Sequence, residues 1–290
     1  MSPAHGSWFG RLRTASRHGR RLWSSSLKFL TLAVAGRLKR IPMKCVMDEY
    51  AFSLAPEGWH YFRALVAEYD QDPDIRLEDT TFYRFFQDQR LKSVHYLNDL
   101  LFLHQPTKRL PKDGFKFYFG TYPWGDFWTR YSVLGGKPWG HHYDAVEGKM
   151  TRDLYGYRRN PWYQPGDDFP LALEWDHTIQ LYRRLKRGYY PGWYGSLPEV
   201  VLLQRRDGDI RAIRCEGHHR LSILSHLGHD QVTVLIPSSS VGVVHESEVE
   251  QWFYVRNGLC TPEQALEIFD AFFELDGRER AEYLGLPRVY

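Results

Sequence analysis

The run Glu216-Gly217-His218-His219-Arg220 sets a carboxylate, a glycine, two imidazoles and a guanidinium side by side. Apolar runs flank it: 200–204 and 210–214 before it, joined by Arg206-Asp-Gly-Asp, and 231–236 after it, closed by Pro237. Their β-branched content predicts strands, and Asp-Gly predicts a hairpin turn between the first two. Leu221, Leu224 and Leu227 recur at helical spacing and Gly228 can close the helix, so 219–227 reads as a short helix. A strand ending in Glu216-Gly217 that passes at once into a helix aims backbone N–H groups and a positive dipole end at whatever lies there. Arg220 adds a planar fork suited to phosphate or carboxylate. The chemistry indicated is anion binding.

Each residue has a role to weigh. A cation at a helix start opposes the dipole, so Arg220 calls for an anion nearby. His219 either donates to that anion or orients the loop through a backbone carbonyl. Glu216 takes a proton from a substrate hydroxyl, or holds magnesium through water, or caps backbone N–H groups. Glu174 and Asp176, near the start of the preceding helix, are weaker base candidates, because dipole complementarity accounts for them. His218, His219, His226 and His229 raise the question of a metal, but His219 and His226 stand two helical turns apart, so no zinc site is expected. No nucleophile elbow and no activated cysteine are visible.

The elements that must carry this stretch follow from pattern. Residues 171–187 have Trp175, Ile179, Tyr182 and Leu185 at spacings of three and four, which predicts a helix ended by Gly188. Residues 57–68 and 79–103 also read as helices, and Thr261, Pro262 and Gln264 form a capped helix start near the C-terminus. Residues 115–168 pile aromatics onto Pro and Gly. They read either as a layer covering the sheet or as platforms for sugar faces and nucleotide bases.

Composition describes a folded chain: 290 residues, 43% hydrophobic and 25% charged, with 16% aromatic. Three cysteines make no disulfide framework and point to a reducing cytoplasm. Residues 1–44 hold about ten Lys or Arg and no acid, so the basic excess of a chain with net charge +3 belongs to a tail. That tail reads as disordered, or as a helix lying on an anionic membrane surface through Trp23, Leu27, Phe29 and Leu30. Its apolar run of about ten residues is too short to span a bilayer. The expected organisation is therefore a tail over 1–44, a helical then aromatic loop-rich region over 45–170, a core domain over 171–240 and a helical extension over 241–290. The fold class is α+β, with a small mixed sheet.

The order helix, strand, Asp-Gly turn, strand, Glu216-Gly-His-His-Arg-Leu, helix, strand resembles the ParB/sulfiredoxin-like domain, over about 171–237. That superfamily includes CTP-binding partition proteins, sulfiredoxins and ADP-dependent serine kinases. The resemblance implies a nucleotide (ATP, ADP or CTP, with Mg2+) whose phosphates are held by Gly217, His218, His219 and Arg220. Sulfinic acid repair is excluded, because that chemistry needs cysteine where His218 stands. DNA partition is not expected, since the residues after Pro237 are few and acidic. From 115 onward the chain is also similar to bacterial proteins that carry this domain and occur with surface-polysaccharide genes.

Two functions follow as expectations. One is a phosphotransferase, kinase-like, with Glu216 and His219 as catalytic residues and a sugar or amino-acid acceptor. The other is a non-catalytic nucleotide- or glycan-sensing accessory protein of a membrane-associated polysaccharide assembly. Either would be cytoplasmic, with a peripheral contact at the inner membrane.

Overall fold

A computed structural model describes residues 36–48, 51–88, 169–191, 197–236, 242–258 and 260–287. The aromatic segment 115–168, the second half of the helix expected over 79–103 and residues 1–35 lie outside the described residues.

The expected hairpin is present as β3 (Glu199–Gln204) and β4 (Ile210–Glu216), turned at Arg205–Asp209. Successive side chains of a strand point to opposite faces, and here both faces are covered, which is why Val200-Val-Leu-Leu is continuously apolar. Val200 and Ala212 pack on one face, and Val201, Leu203 and Ile213 on the other. Around this pair stand β1 (Leu38–Pro42), β2 (Val46–Met47), β5 (Gln231–Leu235) and β6 (Val243–His245). The six strands form one mixed sheet in the order β1-β5-β3-β4-β2, with β6 also beside β3. β1 runs antiparallel to β5 with Leu38 opposite Leu235, while β2 is parallel to β4 and β6 parallel to β3.

The strand β1 corrects the tail boundary. Residues 38–44 are built into the sheet and its following 3-10 turn, because Ile41 and Met43 bury their side chains against Val232 and Val234. A basic sequence can serve as an edge strand, Lys39 and Arg40 remaining exposed.

One face of the sheet carries α1 (Tyr61–Gln71), α2 (Thr81–Asp88), α3 (Phe169–Leu185) and α4 (His218–His226). Leu221 and Leu224 of α4 lie on the sheet, and Ile223 packs outward against Val66, Ile179 and Tyr182 of α1 and α3. The first helix starts later than the pattern suggests. His60 accepts from the Phe62 N–H at 3.1 Å and so caps α1, while Gly58 and Trp59 are held in a turn bonded to Ala55 and Asp276. The other face carries α5 (Phe253–Arg256) and α6 (Pro262–Glu274). Ile268, Phe269 and Phe272 of α6 meet Val201, Leu203 and Ile213 there. The capping box read from Thr261 and Gln264 is present, and a short α7 (Arg278–Tyr283) follows. Among the described residues no helix is long and apolar enough to cross a membrane.

Candidate functional site

β4 ends on Glu216, and one residue later α4 begins. Gly217 makes that change of direction with φ +91°, a left-handed conformation that costs an L side chain but not glycine. A Cβ there would also stand 3.1 Å from the Pro198 Cα. Sequence and backbone therefore agree on why this position is glycine. The first intrahelical bond of α4 runs from Leu221 N–H to Gly217 C=O at 3.0 Å, so the N–H groups of His218, His219 and Arg220 precede the ladder. The predicted strand-to-helix junction is present.

It opens on a cavity of about 430 Å3, inside the range of roughly 300–1,000 Å3 usual for small-molecule sites. Glu216, Gly217, His218, His219 and Arg220 all line it. Glu216 is exposed at its lip, whereas Arg220 is half-buried, and that burial lowers its pKa from the usual value against the opposing pull of Tyr189. The opposite wall comes from α3, through Leu173, Glu174, His177 and Leu181.

Glu174 is the residue that reading by dipole complementarity assigns wrongly. The helix begins at Phe169, so Glu174 lies in its second turn, beyond the reach of the terminal dipole. Its partners are instead the two histidines: Oε2 is hydrogen-bonded to His219 Nε2 and lies 3.7 Å from His218 Nε2. Burial alone would raise the Glu174 carboxyl, but the His219 hydrogen bond and the nearby His218 ring bring it well below the carboxylate range. It stands ionised. Glu-x-x-His at 174 and 177 was the available signal, since that spacing puts both on one helix face. The His177 ring stacks on His219 with centroids 4.6 Å apart, and Phe62 of α1 packs against both His218 and His219.

The two histidines expected to hold phosphate both line the cavity and face Glu174. Glu174 lies beside both imidazoles, and Gly217 and Arg220 stand on the same cavity wall. His218 also has a cation behind it. Arg214, 2% exposed on β4, brings Nη1 to 3.5 Å from His218 Nδ1. A ring whose Nδ1 accepts from a guanidinium carries its proton on Nε2, the nitrogen that faces Glu174.

Behind Arg214 lies a buried polar cluster that the sequence did not announce. Asp48 accepts from Phe52 N–H at 2.9 Å and from the Tyr61 hydroxyl at 3.1 Å, with His60 Nε2 at 3.4 Å. Burial pushes the Asp48 carboxyl up, but the adjacent His60 ring, the Arg214 charge and the Phe52 N–H carry it below its ordinary value. Ser222 joins this cluster to α4: its hydroxyl donates to the His218 carbonyl at 2.9 Å and lies 3.4 Å from His60 Nδ1. The start of α4 is thus braced from within the core.

Cys215 does not join the site. Its Sγ contacts the Ile213 carbonyl at 3.9 Å, its side chain packs on the α6 face, and burial raises its thiol far above the usual range despite Arg214. The metal question, in contrast, reopens around His218 and His219, joined by Glu174 in place of His226. His226 lies apart, against Asp70, but Glu174, His218 and His219 offer donor atoms that all lie within 4.8 Å of one another.

No protein-family model, curated protein or solved structure significantly matches this chain.

Proposed function

We propose that the chain binds a phosphate-bearing small molecule, a nucleotide, in the cavity at the start of α4. The observation that carries this reading is the junction at Gly217: it turns the N-terminus of α4 and the side chain of Arg220 toward one cavity of about 430 Å3. Backbone N–H groups at such an end favour negative charge, and a guanidinium adds two parallel donors. The resemblance to ParB/sulfiredoxin-like domains at Glu216–Arg220 supports ATP, ADP or CTP as the ligands to try first.

Phosphoryl transfer to a small hydroxyl-bearing or sugar acceptor is the catalytic form of this reading. Glu216, exposed at the lip, would meet the acceptor hydroxyl, and catalysis would rest on positioning and charge neutralisation. A sensing protein would bind the same nucleotide without consuming it.

The test is calorimetric titration of ATP, ADP and CTP, each with and without Mg2+, against the wild type and Arg220→Ala. Loss of one charge-assisted contact should weaken binding by about 10-fold to 150-fold while far-UV circular dichroism stays unchanged. A folded wild type that takes up none of the three nucleotides refutes the reading.

A further inference from the structure

We propose that the cavity wall also holds a divalent first-row transition ion on Glu174, His218 and His219. Consecutive residues of a helix normally point apart. Here His218 and His219 have ring centroids 3.8 Å apart, and both direct Nε2 at the same Glu174 oxygen on another helix. The three side chains are 11–15% exposed. Phe62 packs against both rings and His177 stacks on one, so the donors are fixed from behind.

The donor chemistry selects the ion. Two imidazoles and a carboxylate make the three-ligand set that binds zinc or ferrous iron with positions left open. Mg2+ and Ca2+ prefer oxygen ligands, so the magnesium expected beside a nucleotide is not the ion for these residues. All three donors line the cavity, so water or a substrate oxygen can complete the coordination from that side. The site stands whether or not a nucleotide is the ligand, since neither Arg220 nor the backbone N–H groups take part in it.

Arg214 ranks the ligands. A metal-bound imidazole carries its proton on the outer nitrogen, which usually meets an acceptor. His218 meets a guanidinium there instead, at 3.5 Å. His218 must therefore turn its proton toward Arg214 to ligate through Nε2, and Glu174 and His219 provide the stronger hold.

The experiment uses the full chain without an affinity tag. Co2+ is titrated first, because its visible bands report coordination, and Zn2+ binding is then measured by equilibrium dialysis with metal analysis. We expect one tight equivalent per chain. Loss of an outer-shell partner alone typically costs about 10–100-fold, so Glu174→Gln and His219→Ala should each weaken binding by more than about 100-fold, and His218→Ala by less than either. X-ray absorption of the Zn2+-loaded wild type should give two imidazoles with oxygen completing the shell, and it decides the matter even if a variant fails to fold. A folded wild type without a stoichiometric ion, a shell of three or more imidazoles, or unchanged affinity in Glu174→Gln overturns the assignment. Arg220→Ala separates the two readings: it should keep the ion while losing the nucleotide.

Discussion

Replacing Gly217 by alanine tests whether the site rests on one backbone junction. The magnitude comes from a comparison within the chain, because Gly208, in the β3–β4 turn, has the same φ of +91°. An L residue in the left-handed region costs about 1–2 kcal/mol, and both variants carry that cost. They differ in their surroundings. A Cβ at 208 meets nothing within 4 Å, whereas a Cβ at 217 stands 3.1 Å from the Pro198 Cα and 3.2 Å from its Cβ. Pro198 cannot easily retreat, since its carbonyl accepts the Leu235 N–H at 2.8 Å and so ties β3 to β5. The crowding should bring Gly217→Ala to about 3 kcal/mol, against about 1–2 for Gly208→Ala. Urea unfolding at 25 °C with an unchanged slope reads both values, and calorimetry at 25 °C reads nucleotide binding by the folded fraction. Only Gly217→Ala should weaken that binding. Equal losses in the two variants, or no loss at 217, would refute the account of why this position is glycine.

Two further outcomes follow from the core beneath the site. Asp48 has its carboxyl held below the ordinary 3.8, so its stabilisation is fully present above about pH 4 and is lost as pH falls through the folded value. Asp48→Asn should cost about 3 kcal/mol at pH 7, and the gap between variant and wild type in urea midpoint should close as pH falls below about 4 and through the folded value. A gap of constant size would show that the carboxylate's charge is not what braces Arg214. The thiols give the other test: burial raises Cys45 and Cys215 and pushes Cys260 up to about 11, leaving about one part in a thousand of Cys260 as thiolate at pH 8. Reaction with a disulfide reagent should be slow in the native chain and rapid in urea; one fast equivalent from the native chain would contradict these environments.

What the sequence disclosed was local. The β3–β4 turn, the helix closed by Gly228, the start of α6 at Thr261 and the junction at Gly217 each depend on a few neighbouring residues, so composition and spacing suffice to place them. What it withheld depends on partners far along the chain. β1 becomes a strand because Leu38 pairs with Leu235, and no pattern within 38–42 distinguishes it from a basic tail. Glu174 belongs to the site because His219, 45 residues later, accepts its company. Arg214 looks like the polar end of a strand, yet it is almost fully buried because Asp48, from beside β2, supplies the opposing charge. Apart from Glu-x-x-His at 174 and 177, these partnerships leave no trace in local spacing.

The two proposals share one cavity, and their charges decide how they interact. Without an ion, an entering phosphate meets Arg220 and the end of α4 but also the carboxylates of Glu174 and Glu216. At roughly 5 Å and an effective dielectric of about 20, a pair of unit charges interacts by about 3 kcal/mol, so the ionised Glu174 opposes the anion that Arg220 attracts. A divalent ion on Glu174, His218 and His219 reverses that sign and leaves open positions that a phosphate oxygen can fill. The coupling is reciprocal: whatever factor the ion adds to nucleotide affinity, the nucleotide adds to ion affinity, typically about 5-fold to 150-fold for coupled sites. The histidines then have a coherent place in the site. Under the two proposals together, they would serve the anion through the ion, and the direct contacts would fall to Arg220 and the backbone.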